Sequence, residues 1–110
     1  MALNPAAIAT MQKGLSVTST ATPALSGTYP VTGQELINGL QAQISAILLD
    51  NTFADGGAAL AWPDIGGTTH SFDVAQFKTL ASALLQFQAQ WTAYAMGATT
   101  TAPPTTATIP

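Results

Sequence analysis

The only imidazole in the chain, His70, stands close to a hydroxyl and two carboxylates: Ser71 follows it directly, and Asp64 and Asp73 lie on either side. Histidine, serine and aspartate are the parts of a nucleophilic triad, in which the base must reach the hydroxyl. The spacing opposes this. His70 and Ser71 are neighbours in a β-prone run, and successive side chains of a strand leave opposite faces. A metal centre usually takes three or four ligands, and one histidine with scattered aspartates falls short. Two carboxylates are the equipment of a glycosidase, but Asp64 opens a turn and Asp73 precedes a helix, so both have structural work. Gly66 and Gly67 lack the later glycine and lysine of a phosphate loop. The stretch 50–55 lacks the spacing and closing glutamate of a calcium loop. We therefore expect no catalytic residue, no metal and no cofactor, and expect His70 to pair across its hairpin with Trp62 or with a backbone carbonyl. Trp62 and Trp91 have rings that stack on a sugar or a base. Trp91 falls on an apolar helix seam and reads as core, while Trp62 lies on a hairpin whose exposure the sequence leaves open.

The elements that would carry these residues follow from spacing. A hairpin is expected around the turn 63–67: Leu60 and Trp62 share one face of its first strand, His70 and Phe72 one face of the return strand. Pro63 has no N–H and marks an edge. Asp73 and Gln76 form a capping box, and Phe72 can close a hydrophobic staple on Phe77. From there Phe77, Leu80, Leu84, Phe87, Trp91 and Tyr94 recur at spacings of three and four, the seam of a helix that packs along another helix, with Gly97 as its stop. Upstream, Thr32 and Glu35 read as another capping box. It opens a helix whose Ile37, Leu40, Ile44 and Ile47 form one face, widened by Leu36 and Leu48. Before it, residues 5–13 read as a short helix with Asn4 as cap, Pro5 at the first position and Gly14 as stop. Residues 16–22 are β-prone, Pro23, Gly27 and Pro30 break regular structure, and Leu25 and Tyr29 are expected to touch the core. Residues 98–110, rich in Thr, Pro and Ala, read as extended and unable to build a core.

The expected fold is α+β: a small helix–hairpin–helix (αββα) core at 32–97, an extended N-terminal arm at 1–31 and a Thr/Pro-rich tail at 98–110. A lone hairpin is marginal in water, so it must lie on the helix pair or extend a neighbour's sheet.

Composition bounds the partners. The chain has 110 residues, no cysteine and only 6 % charged residues, where an ordinary domain has about 25 %. Lys13 and Lys78 are its only basic residues. Two lysines cannot neutralise a run of phosphates, so nucleic acid is not an expected partner, and anionic membranes are disfavoured for the same reason. No run reaches the ~20 apolar residues of a membrane span. The start of the chain lacks the basic and apolar stretches of a signal peptide. A surface of Thr, Ser, Gln and Asn loses less on desolvation than a charged one, which suits a surface that becomes an interface.

The run Trp62, Pro63, Asp64, Ile65, Gly66, Gly67, Thr68, Thr69, His70, Ser71 and Phe72, followed by Phe77, Leu80 and Ala81, resembles a small uncharacterised domain encoded among the tail and tail-fibre genes of tailed bacteriophages and prophages. The lead-in at 23–29 is similar as well, so the resemblance spans roughly residues 23–97. That family has no assigned catalytic residues. The resemblance implies structural work in a virion, with synthesis in the host cytoplasm, other virion proteins as partners, and homo-oligomers. The expected interface candidates are Leu36, Leu48, Trp62, His70, Phe72, Leu85 and Trp91, with the two arms strapping neighbours. Two further readings stand beside this one. The first is a receptor- or glycan-binding module of a tail using Trp62, His70 and the Gly66–Gly67 turn. The second is a head-decoration protein or tail-assembly chaperone.

Overall fold

The longest apolar seam of the chain becomes its central element. In the computed structural model, which describes residues 3–110, the chain order is α1 (Pro5–Gln12), β1 (Leu15–Ser19), a 3-10 turn (Pro23–Leu25), β2 (Gly27–Tyr29), α2 (Gln34–Asp50), β3 (Ala59–Pro63), β4 (Thr69–Asp73), α3 (Val74–Ala95) and β5 (Thr106–Ile109). Met1 and Ala2, the start of the expected N-terminal arm and of the stretch read as lacking a leader, lie outside the described residues. The described residues thus form an α+β fold of three α-helices and five strands.

The seam of α3 is buried at Phe77, Leu80, Leu84, Phe87 and Trp91, with Ala81 and Ala95 beside it. Its start is the expected capping box. Asp73 Oδ1 accepts from Gln76 N–H at 2.8 Å, and Gln76 Oε1 accepts from Asp73 N–H at 2.9 Å. Phe72 meets Phe77 edge to face at 6.0 Å, closing the staple. On one side of α3 lies the β3–β4 hairpin, paired antiparallel with Leu60 opposite Phe72 and Trp62 opposite His70. Trp62 and Phe72 point inward, and Phe77 receives both rings together with that of Phe53.

Next to the hairpin and α3 lies a sheet absent from the expected fold. Its order is β2–β1–β5, with β1 antiparallel to β2 and parallel to β5. The arms expected at 1–31 and 98–110 are corrected here: each contributes strands and buried side chains to one shared core. The alternation in β1 buries Leu15, Val17 and Ser19, and the tail buries Ile109. A four-residue strand with one buried isoleucine carries too little periodicity to stand out among threonines and prolines, and its parallel partner lies at the opposite end of the chain. Composition alone therefore read the tail as coreless.

Segment 5–12 is the expected helix. Asn4 Oδ1 accepts from Ala6 and Ala7 N–H, and Ala7 and Met11 are buried. Asn4 N–H donates to Ala95 O at 3.0 Å, fastening α1 to the end of α3. Gly14 follows at φ +84°, where an added Cβ would stand 2.6 Å from the Tyr29 carbonyl oxygen; only glycine fits this stop.

One start differs from expectation. Helix α2 begins at Gln34 with Gly33 as cap at φ +106°, and no side chain caps it. Thr32 and Glu35 do not form a box. Gly33 already turns the chain in a conformation that other residues disfavour, which leaves Thr32 one residue too early.

Candidate functional site

Two places in this fold gather the residues singled out above: a polar clasp around His70, and an apolar groove between α2 and α3.

The clasp is built by the hairpin turn. Asp64 Oδ1 accepts from Gly66 N–H at 2.9 Å and from Thr68 N–H at 3.0 Å, which shapes the turn. The other carboxylate oxygen accepts from His70 Nε2 at 2.9 Å. His70 Nδ1 lies 2.9 Å from the carbonyl oxygen of Ala24, in the 3-10 turn. Both ring nitrogens thus face acceptors, and only the imidazolium, with two N–H groups, satisfies both. The hydrogen bond to Asp64 holds the His70 pKa above its ordinary value; burial opposes this and the Ala24 carbonyl assists. The same bond holds Asp64 below the ordinary carboxylate value against burial, with the Thr68 and Gly66 amides assisting. Beside them Tyr29 is fully buried and donates its hydroxyl proton to Leu25 O. Burial, and then the Asp64 charge, push the Tyr29 hydroxyl up to about 12. Ile65 N–H reaches Thr28 O at 2.8 Å, so the hairpin turn is bonded to β2 by backbone as well.

In this arrangement the His–Asp pair is a fastener. A general base needs a ring nitrogen within reach of the proton it takes, and both nitrogens of His70 are engaged. Ser71 is exposed on the opposite face of β4, away from the ring. Among the described residues no group of three or more His, Asp or Glu side chains could hold a metal ion, and no helix is long and apolar enough to cross a membrane.

The groove, of about 320 Å³, is lined by Ile44, Ile47 and Leu48 of α2 and by Phe77, Lys78, Ala81, Ser82, Leu85 and Gln86 of α3. Leu48 is 78 % exposed, Leu49 beside it 81 %, and Leu85 39 %. The helices run antiparallel: Leu40 and Leu84 line a cleft at one end, Ile47 and Phe77 the groove at the other. Only Leu40 and Ile47 of the seventeen residues of α2 are buried. Its apolar stripe is wider than the part α3 covers.

The interface candidates therefore divide. Leu48 and Leu85 come together in the groove. Leu36 is partly buried and lines the small cleft at the far end of the helix pair, against Trp62. Trp62, Phe72 and Trp91 are buried in the chain's own core, at 7, 1 and 5 % exposure, and are unavailable to a partner. Trp91 donates its indole N–H to Pro104 O, so the tail covers the face that had been left for a neighbour. His70, whose side chain is 13 % exposed, is committed to the clasp. Sequence reasoning missed Lys78 as a groove residue. Leu49 stands outside the groove lining, because two neighbouring leucines cannot both face the same neighbour on a helix.

Comparison of the chain with protein-family models, with curated proteins and with solved structures finds no match.

Proposed function

We propose that this protein is a non-catalytic structural subunit that works by protein–protein packing, in the virion of a tailed bacteriophage and in its tail, baseplate or fibre-attachment region. The observation that carries the packing role is the groove with Leu48 and Leu85 exposed in its walls, on a chain with 6 % charged residues. Exposed contiguous apolar surface marks an interaction site. The virion context rests on the sequence resemblance of residues 23–97. The αββα core fits this reading as the unit that presents the groove, with α2 and α3 as its walls and the hairpin behind them.

A glycan-binding role through Trp62, His70 and the Gly66–Gly67 turn is less well supported, because the Trp62 ring is packed on Phe77 and both His70 nitrogens are engaged. The test is mass spectrometry of purified particles produced with the gene intact and with a Leu48→Gln, Leu85→Gln variant. The expected result is the wild-type chain in fixed stoichiometry in the particle, with the variant missing. A chain needed for particle formation but absent from particles would make it an assembly chaperone. A chain absent and dispensable would overturn the proposal.

A further inference from the structure

We propose that His70 is a proton-operated latch between two loops: protonated, it ties the 3-10 turn Pro23–Leu25 to the tip of the β3–β4 hairpin, and loss of its proton frees the turn while the hairpin tip keeps its shape. The latch acts within one chain and does not rest on the packing role proposed above.

The ring stands between two acceptors, the Asp64 carboxylate 2.9 Å from Nε2 and the Ala24 carbonyl 2.9 Å from Nδ1. A neutral imidazole has one N–H and one lone pair, so it serves one acceptor and turns a lone pair on the other. Charge decides which. A hydrogen bond to a carboxylate is roughly twice as strong as one to a neutral carbonyl, so the remaining proton stays on Nε2 with Asp64. Nδ1 then presents a lone pair to the Ala24 oxygen, and two acceptors at that distance repel.

The two loops differ in what else holds them. Asp64 Oδ1 keeps the Gly66 and Thr68 amides whatever the state of the ring, and Ile65 N–H keeps Thr28 O. The hairpin tip therefore stays in place. The 3-10 turn is closed by bonds of its own, Leu25 N–H to Thr22 O and Ser26 N–H to Pro23 O. Among the described residues its one hydrogen bond to the hairpin is the Ala24 carbonyl on His70. Release of that bond lets the turn swing off the buried Leu25 side of the core.

Few charged or titratable groups face the ring. The hairpin turn supplies Asp64. Strand β2 supplies Tyr29, whose ring centroid lies 5.6 Å away and whose hydroxyl, pushed up to about 12, stays protonated while His70 titrates. The 3-10 turn brings only its carbonyl, and Trp62, opposite on β3, carries no charge. Asp73 leaves the other face of β4 and caps α3. Asp64 thus holds the proton on the ring above the ordinary histidine value of 6.5. A group raised in the fold loses its contribution as pH climbs through the folded value, so the latch is shut below that value and opens above it.

The test is NMR on the full chain across the His70 titration, followed by the ring nitrogens. The Ala24 carbonyl shift is expected to move with the same midpoint. Backbone order parameters at Ala24, Leu25 and Ser26 are expected to fall from about 0.85 to below about 0.6, while Ile65 and Thr68 stay rigid. Asp64→Asn is the discriminating variant. Its Oδ1 still accepts from the Gly66 and Thr68 amides and its NH2 donates to Nε2, so the neutral ring carries its proton on Nδ1 and keeps the Ala24 bond. The turn is then expected to stay rigid above the wild-type midpoint. A wild-type turn equally rigid on both sides of the midpoint overturns the inference, and that titration decides alone where the variant does not fold. An Asp64→Asn turn that loosens at the wild-type pH overturns it as well, as does loss of order in the turn and the hairpin tip together.

Discussion

Trp62 and Trp91 are both buried, but only Trp91 has a protein acceptor for its indole N–H, the Pro104 carbonyl at 3.1 Å; Trp62 Nε1 has none. A net hydrogen bond is worth about 1 kcal/mol. Trp91→Phe should therefore destabilise by about 1 kcal/mol more than Trp62→Phe, since both lose similar ring area and only the first loses a bond. Urea unfolding of the two variants measures this, and equal costs would refute it. The His70–Asp64 pair makes a second prediction, about pH. His70 is held above 6.5 in the fold, so its stabilisation is complete below 6.5 and is lost as pH rises through the raised value. Asp64 is held below 3.8, so its share is complete above 3.8 and is lost as pH falls through the lowered value. Stability should peak between these limits. His70→Gln should flatten the alkaline limb, and a denaturant midpoint that declines above 6.5 as steeply as in the wild type would remove the clasp from the explanation. Of the two partners expected for His70, Trp62 or a backbone carbonyl, the ring takes a carbonyl, but that of Ala24 in the 3-10 turn and not one across the hairpin. The bond to Asp64 was not legible, because Asp64 also shapes the turn and a carboxylate has lone pairs enough for both tasks.

The sequences at the starts of helix α3 and helix α2 follow the same pattern. Asp73 with Gln76 and Thr32 with Glu35 are both a short polar residue followed three places later by a longer one. Only the first pair makes the reciprocal bonds, while α2 is capped by Gly33 alone. Losing an N-cap side chain costs about 1 kcal/mol. Asp73→Ala should lower stability by that amount, and Thr32→Ala, which removes no bond, should leave the melting temperature near the wild-type value. Thermal denaturation followed by circular dichroism separates the two, and a Thr32→Ala cost as large as that of Asp73→Ala would contradict the Gly33 start. The long periodic elements were readable throughout: the α3 seam, the hairpin parity and the Asn4–Pro5–Gly14 punctuation of α1 all stand where spacing put them. The short strands β1, β2 and β5 were not read as a sheet. Their pairing depends on partners distant along the chain, and no local pattern in three to five residues specifies one.

At the scale of the whole molecule the two chain ends close on each other, and that closure decides what the tail is. Strand β5 runs parallel to β1 with Ser16 opposite Thr106 and Ser19 opposite Ile109. Ser19, buried, donates its hydroxyl to Pro110 O at 2.9 Å, and Ile109 is 4 % exposed. If the tail were a strap for a neighbour, deleting residues 98–110 would leave the folding of this chain untouched and abolish assembly alone. The structure argues otherwise. Deletion strips one edge of β1, removes the acceptor of Trp91 and exposes the apolar surface that Ile109 covers. Burial of one isoleucine is worth roughly 2 kcal/mol, and the severed strand pairing adds to it, against a total stability of about 5–15 kcal/mol for a domain. The truncated chain should therefore melt well below the full chain, with broadened unfolding and binding of an apolar dye, even in dilute solution where no neighbour is present. Ile109→Asp should reproduce much of the loss without shortening the chain. Unchanged melting of both variants would return the tail to the role of a strap. A loss in both would mean that any partner meets a chain already closed, through the α2–α3 groove.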